Sequence, residues 1–111
     1  MNKNISNLIK ESHDNAVEHG WWDTEAERNF GEQIALMHSE LSEVLEDYRN
    51  GKGFNEFYYE GKKPCGIPVE FADTLIRIFD TCGRYGIDLE EAIKIKMEYN
   101  KTRPYKHGKK I

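Results

Sequence analysis

Two segments of the 111-residue chain decide its fold: SELSEVLEDY at residues 39–48 and PVEFADTLIRIFD at residues 68–80. Each contains a pair of acidic residues spaced three apart, and these pairs are Glu40 with Glu43 and Glu70 with Asp73. Residues at this spacing lie on one side of an α-helix, so each segment is predicted to be helical and to present two carboxylates in one direction. If the two helices pack antiparallel, the four carboxylates converge, and at close range they repel one another unless a cation lies between them. Oxygen ligands alone favour a hard ion, so the sequence predicts a Mg²⁺ site, with Mn²⁺ as the alternative.

Apolar residues recur at helical spacing over most of the chain, which predicts an all-α fold of four helices in a single domain over residues 1–111. We expect the helices at about residues 3–19, 25–49, 68 to 83 or 86, and 89–102. No segment alternates with period two for long enough to predict a strand. Residues 51–67 are rich in Gly, Pro and aromatic residues and are predicted to be a loop. The aromatic rings of this loop either pack beneath it or stack on a nucleobase.

The predicted helix ends carry recognisable signals. Gly20 is expected to end the first helix in a left-handed conformation. Thr24 with Glu27 has the form of a capping box for the second helix, and Asp88 with Glu91 has the same form for the fourth. Three further signals are Asn50-Gly51 after the second helix, Pro68 in the first turn of the third and Pro104 after the fourth.

The second and third helices each carry an apolar face. In the second, a narrow seam suited to packing on another helix consists of Phe30, Ile34, Met37, Leu41, Val44, Leu45 and Tyr48. In the third, the predicted buried face consists of Phe71, Leu75, Ile78, Phe79 and Cys82. On the opposite arc Asp80 accompanies the acid pair, and Arg77 stands where it could pair with Asp73. The first and third helices carry broad apolar faces, and four helices in so short a chain leave part of that area uncovered, so we expect a homo-oligomer.

The fourth helix has an apolar face that turns polar towards its end. Leu89 and Ile93 define this face, and Lys96, Asn100 and Arg103 continue it where core residues would be expected. Either Lys96 lays its stem along apolar surface with its charge in water, or the three polar side chains point at a ligand rich in negative charge. A polyphosphate held on the carboxylate-bound metal would be such a ligand.

Composition excludes several classes of protein. The net charge is −4, which argues against nucleic acid as the main partner because proteins that bind nucleic acid usually carry a basic excess. The two cysteines form neither a disulfide framework nor a zinc-ligand set. The sequence shows no apolar signal-peptide region and no apolar run of membrane-spanning length. We therefore expect a cytoplasmic protein with no membrane partner.

The ordered motif ExxE, a spacer and ExxD resembles the signature of the MazG-like all-α nucleoside triphosphate pyrophosphohydrolases, a superfamily that also holds dimeric dUTPases. A Lys followed four residues later by Asn, and then by a basic residue before Pro-Tyr, is a second similarity, carried here by Lys96, Asn100 and Arg103. The resemblance covers most of the chain. It implies the four-helix MazG-like fold, a helical bundle that is completed by oligomerisation into a homodimer or homotetramer.

The resemblance also implies Mg²⁺-dependent hydrolysis of a nucleoside or deoxynucleoside triphosphate to the monophosphate and pyrophosphate, in nucleotide pool house-cleaning or regulation. By this resemblance the metal-binding and catalytic residues would be Glu40, Glu43, Glu70 and Asp73. One of the four, such as Glu43, would take the proton of the attacking water. The substrate-binding residues would be Lys96, Asn100, Arg103 and Trp22. The Trp21-Trp22 pair resembles the aromatic segment that lines the base pocket in the family, and Trp22 is the residue that we assign to that pocket.

Two other classes of protein fit parts of the pattern. A non-catalytic helical interaction module would carry the acids as a solvated face and would show no metal dependence. A di-iron carboxylate bundle is disfavoured because Asp73 stands where the Glu-x-x-His motif of such bundles requires His.

Overall fold

The computed structural model describes residues 4–23 and 29–105. Its elements in chain order are α1 (Ile5–Glu18), α2 (Phe30–Arg49), β1 (Tyr58–Glu60), β2 (Lys63–Cys65), α3 (Ile67–Tyr85) and α4 (Leu89–Lys101). Four helices account for most of these residues, which confirms the predicted all-α character apart from one small sheet. None of the helices in these two ranges is both long and apolar enough to cross a lipid bilayer.

The central element is α3, because it packs against both α1 and α2. The hydrophobic core around it is small, and among the described residues it consists of Trp22, Cys65, Ile67, Phe79 and Cys82. The last helix, α4, lies against the beginning of α1, where the Ser6 amide donates to Glu90 Oε1 at 3.1 Å. Glu70 and Asp73 therefore project from the helix that contacts both α1 and α2.

The predicted helix ends are confirmed except at the start of α2. Gly20 follows α1 with a φ of +80°, and Asp88 caps α4 by accepting from the Glu91 amide at 3.2 Å. The second helix was predicted to begin near residue 25, and this was wrong, because α2 begins at Phe30. Asn29 is its N-cap and accepts from the Glu32 amide at 2.8 Å, which satisfies a backbone donor that has no partner inside the helix. The predicted capping pair Thr24 and Glu27 lies outside the described residues.

The prediction of a strand-free loop after α2 was wrong. Tyr58, Tyr59 and Glu60 pair antiparallel with Cys65, Pro64 and Lys63, so that β1 and β2 form a hairpin. Its two-residue turn begins at Gly61, whose φ of +65° belongs to the left-handed region that glycine adopts most easily. Each strand has three residues, which is too short for alternating polarity to be recognised in the sequence.

The buried faces of α2 and α3 differ from the predicted ones. The α2 seam was expected to pack on another helix, yet most of it is exposed, with Leu45 at 51% and Tyr48 at 60%. The residues that α2 buries are Gln33 and Asp47. On α3, Phe79 and Cys82 are buried as predicted, whereas Phe71 and Leu75 are half exposed and Asp80, expected on the opposite arc, is buried. The residues that α2 buries are thus polar, while several apolar residues of α2 and α3 stay exposed.

Candidate metal centre and adjoining pocket

Three carboxylates converge where α2 faces α3. One oxygen each from Glu40, Glu70 and Asp73 lies within 4.8 Å of the other two, and all three side chains are half-buried. We call these residues the three-carboxylate group. Glu43, the fourth predicted ligand, is exposed and does not belong to the group. The structure therefore brings together three of the four predicted metal ligands.

The three carboxylates of this group repel one another when all of them are ionised. Burial raises the pKa of Glu70 above its usual value of 4.5, and the charges of Asp73, Asp47, Glu43 and Glu40 raise it further, in that order of effect. Each of these acids thus makes it harder for Glu70 to ionise. A cation among them would remove this repulsion, because it favours the charged form of every carboxylate near it.

Asp47 is an acid that the predicted site did not include. It is buried, its Oδ1 accepts a 2.9 Å hydrogen bond from the Tyr58 hydroxyl, and its Oδ2 is buried without a hydrogen-bond partner. The hydrogen bond to Asp47 is the main reason why the pKa of Tyr58 is raised to about 12. This contact ties the hairpin to α2 beside the acids. The signal in the sequence was helical spacing, since Asp47 follows Glu43 by four residues and Glu40 by seven.

A pocket of about 340 Å³ adjoins the three-carboxylate group, and Glu40 and Asp73 are among its lining residues. Trp21 and Arg77 also line it, and the Arg77 guanidinium carbon lies 3.9 Å from the centre of the indole ring. The indole N–H of Trp21 points at Oε1 of buried Gln33 at 3.4 Å. Ser12 and Asn15 of α1, His19 directly after α1, and Asp80 of α3 also contribute polar side chains to the lining. Small-molecule sites typically combine such a concave surface with a few polar groups.

Trp22, the aromatic residue assigned to a base pocket, lies in the core instead of the pocket. It is 6% exposed, and its indole N–H donates to Asp80 Oδ1 at 3.0 Å. His13 Nδ1 lies 2.8 Å from the same oxygen, and the Trp22 ring packs edge-on against the rings of His13 and Tyr85. The neighbouring Trp21 lines the pocket. The sequence could not decide between two adjacent tryptophans at the exit of α1.

The basic end of α4 is not part of this pocket. Lys96 and Asn100 are exposed, Arg103 is half-buried, and none of the three is among the described residues that line the pocket. The Lys96 ammonium and the Arg103 guanidinium instead lie over the ring of Tyr99, at 4.9 Å and 5.7 Å from its centre. Leu89 and Ile93 are half-buried, as expected of the apolar face. Phosphate binding by these polar residues stays a prediction.

The three-carboxylate group fits a hard divalent cation. Its donors are all carboxylate oxygens, which Mg²⁺, Mn²⁺ and Ca²⁺ prefer. Two ligands on opposite sides of such an ion are about 4 to 5 Å apart, so oxygens within 4.8 Å of one another need only small side-chain movements to bind it. The raised pKa of Glu70 agrees with this fit, because burial and, after it, four neighbouring carboxylates disfavour the charged form that a cation would stabilise.

Comparisons of the chain with models of known protein families, with curated proteins and with solved structures found no match.

Proposed function

We propose that this protein is a Mg²⁺-dependent nucleoside triphosphate pyrophosphohydrolase, which converts a nucleoside or deoxynucleoside triphosphate to the monophosphate and pyrophosphate. The observation that carries the proposal is the convergence of Glu40, Glu70 and Asp73 beside a pocket of about 340 Å³. The order of the acids along the chain, ExxE before ExxD, supports it through the resemblance to the MazG-like family. The same resemblance is the basis for proposing the MazG-like fold and a homo-oligomer.

The residues of the site have separate tasks in this reaction. When bound, Mg²⁺ would neutralise part of the triphosphate charge and acidify a water molecule. Glu40, Glu70 and Asp73 would hold the ion. Glu43 stands one helical turn from Glu40, outside the three-carboxylate group, and would accept the proton as the water oxygen attacks the α-phosphorus. The bond between the α-phosphorus and the bridging oxygen then breaks, and pyrophosphate leaves with the electron pair.

Trp21 is the aromatic residue that we assign to the nucleobase. It lines the pocket together with Glu40 and Asp73, whereas Trp22 is buried and its N–H is bonded to Asp80. Arg77 lies over one side of this ring, and the other side would offer a flat apolar surface on which any base can stack, so the ring would contribute affinity without selecting one base. Hydrogen-bonding groups on α1 are better suited to select among bases.

Lys96 and Asn100 require a second copy of the chain if they bind phosphate. They are exposed on α4 and do not line the pocket of their own chain. The exposed α2 seam supplies a surface for self-association, with Leu41, Leu45 and Tyr48 between 46% and 60% exposed. We therefore expect the two residues to reach the phosphates across the contact between two copies.

A second candidate function is supported by the same apolar surface. A non-catalytic interaction module would use the α2 seam, which borders an apolar groove lined by Leu41, Leu45, Tyr48, Phe54 and Phe71, to bind another protein. In that case the acids would be a solvated face. This function predicts neither metal binding nor nucleotide hydrolysis, so the experiment on hydrolysis separates the two candidates.

The test is a screen of nucleoside and deoxynucleoside triphosphates with Mg²⁺, in which pyrophosphate and orthophosphate release are measured separately. We expect pyrophosphate release for at least one substrate and its loss in Asp73→Asn. The matched control is Glu46→Gln, because Glu46 is an exposed acid on α2 that should leave activity unchanged. Release of orthophosphate alone, or equal loss in both variants, would contradict the proposal.

A further inference from the structure

Arg77 occupies the junction between the pocket and the three-carboxylate group. Its guanidinium carbon lies 3.9 Å from the centre of the Trp21 ring, and its Nε lies 3.6 Å from Glu40 Oε1. Both members of the ion pair are partly exposed, at 28% for the Arg77 side chain and 25% for Glu40. One side chain thus touches the proposed nucleobase contact and a proposed metal ligand.

The ion pair between Arg77 and Glu40 is weak. A separation of 3.6 Å exceeds the usual range of N–H···O hydrogen bonds, and solvent reaches a quarter of each side chain. The contact with Trp21, in contrast, places the guanidinium carbon over the indole ring, so it is a cation–π contact and not a hydrogen bond. Trp21 therefore fixes the guanidinium in place without using its hydrogen-bonding capacity.

Arg77 differs in charge from the other ionised residues that line the pocket. Glu40, Asp73 and Asp80 contribute carboxylates to the lining, whereas Arg77 is the one permanently charged cation among the described lining residues. Asp80 already accepts from Trp22 and lies against His13, so it is engaged elsewhere. An anionic ligand that enters this pocket would meet carboxylates on several sides and a favourable charge only at Arg77.

We propose that Arg77 exchanges partners when the site is loaded: it is the counter-ion of Glu40 in the metal-free protein, and it binds a phosphate oxygen of the ligand once a divalent cation has taken Glu40. The ligand class is a phosphate chain, and in this respect the inference rests on the proposed function. A planar guanidinium with several donors in one fork suits an oxyanion better than a single carboxylate oxygen at 3.6 Å. The Trp21 stack keeps the group in reach of both partners.

The exchange predicts that removing Arg77 changes two affinities in opposite directions. Without the competing counter-ion, Glu40 is more available, so Arg77→Met should bind Mg²⁺ alone about two- to fivefold more tightly. At saturating Mg²⁺ the same variant should bind pyrophosphate about tenfold or more weakly, because it lacks a charge-assisted hydrogen bond. A residue with a merely structural role would move both affinities in the same direction.

The experiment is a pair of calorimetric titrations on the purified chain, first with Mg²⁺ alone and then with pyrophosphate at saturating Mg²⁺. Arg84→Met is the control, since the Arg84 guanidinium carbon lies 5.0 Å from the Trp22 ring centre and Arg84 is not among the residues that line the pocket. It should leave both affinities at wild-type values. Arg77→Lys keeps the charge and loses the fork, so it should retain wild-type Mg²⁺ affinity and bind pyrophosphate several-fold more weakly.

Wild-type pyrophosphate affinity in Arg77→Met overturns the inference, and so does a parallel loss of Mg²⁺ and pyrophosphate binding. If Arg77→Met does not fold, Arg77→Lys decides, and wild-type pyrophosphate affinity in that variant overturns the inference as well. The proposed function fails on a different result, which is the lack of triphosphate hydrolysis in the substrate screen. Opposite changes in the two affinities without any hydrolysis would keep Arg77 as an anion-binding residue and remove the catalytic role of the site.

Discussion

Replacing Glu70 with Gln should stabilise the metal-free protein and abolish its stabilisation by Mg²⁺. Glu70 is the acid whose pKa is raised by burial and by four neighbouring carboxylates. The amide is nearly the same size as the carboxyl group but carries no charge, so Glu70→Gln removes repulsion while it keeps the packing. It also replaces one of the three carboxylates whose oxygens lie within 4.8 Å of one another with a neutral amide, which is a much weaker ligand for the proposed cation.

The two effects have different sizes. Two unit charges about 5 Å apart repel by roughly 0.8 kcal/mol in water and by about 3 kcal/mol in the less polar surroundings near a protein surface. Because the group is half-buried and the charges are partly screened, we expect Glu70→Gln to raise the free energy of unfolding without metal by about 1 kcal/mol. In wild type, Mg²⁺ at a hundred times its dissociation constant should add about 2.7 kcal/mol.

The pH dependence follows from the same group. Because the pKa of Glu70 in the folded state lies above the usual 4.5, the folded protein binds more protons than the unfolded chain between these two pKa values. Without metal, the contribution of Glu70 to stability is therefore most favourable below pH 4.5, and it declines as the pH rises from there through the raised pKa. In Glu70→Gln this part of the pH dependence should be absent.

The assay is thermal unfolding followed by circular dichroism, with and without Mg²⁺, between pH 4 and 8. For a chain of this size about 1 kcal/mol corresponds to a shift of roughly 4 °C in the midpoint. Glu46→Gln is the control, because it removes one negative charge from an exposed position of α2. The reasoning is refuted if Glu70→Gln lowers the metal-free midpoint, or if Mg²⁺ raises the midpoint of Glu70→Gln as much as that of wild type.

Three further predictions concern other parts of the molecule. Wild type should self-associate at micromolar concentration in sedimentation experiments, and Leu45→Glu on the exposed α2 seam should give a helical monomer; a wild-type monomer would contradict this. Lys96→Met should fold normally and hydrolyse substrate about a hundredfold more slowly. If Lys96 acts across a contact between two copies, mixing Lys96→Met with Asp73→Asn should restore part of the activity. Wild-type activity in Lys96→Met would exclude Lys96 from the site. Asp80→Ala leaves the buried indole N–H of Trp22 unpaired and should lower the free energy of unfolding in urea by about 2 kcal/mol, whereas an unchanged midpoint would show that this hydrogen bond is dispensable.

The spacing of charged and capping residues was sufficient to predict the helices and most of the acid cluster. Gly20, Asp88 and the acid pair of α3 act through neighbours three or four residues away, and such local relations can be read directly from a sequence. The Asn29 cap was missed because the pair Thr24 and Glu27, five residues earlier, had the stronger pattern. The hairpin was missed because its pairing joins two strands of three residues each.

Features that depend on how helices are rotated about their axes could not be predicted. Buried residues were assigned from hydrophobicity, and this assignment fails where the contact between two helices is polar. Gln33 and Asp47 are buried while Leu45 and Tyr48 are exposed, which no hydrophobic pattern would indicate. Trp21 and Trp22 show the same limit, because adjacent residues point in different directions and the sequence does not show which of the two lines the pocket.

The rotation of α2 connects the candidate metal centre to the exposed apolar seam. Glu40 and Leu41 are adjacent, so they point about 100° apart around the helix axis. Turning α2 by that angle would move Leu41 and Leu45 towards α3. It would also move Glu40 away from Glu70 and Asp73, so that the three carboxylates would no longer lie together. In the observed arrangement the acids converge and much of the seam stays exposed. A cation between the acids and a second chain on the seam would each stabilise one part of this arrangement, which is why metal binding and self-association are expected in the same protein.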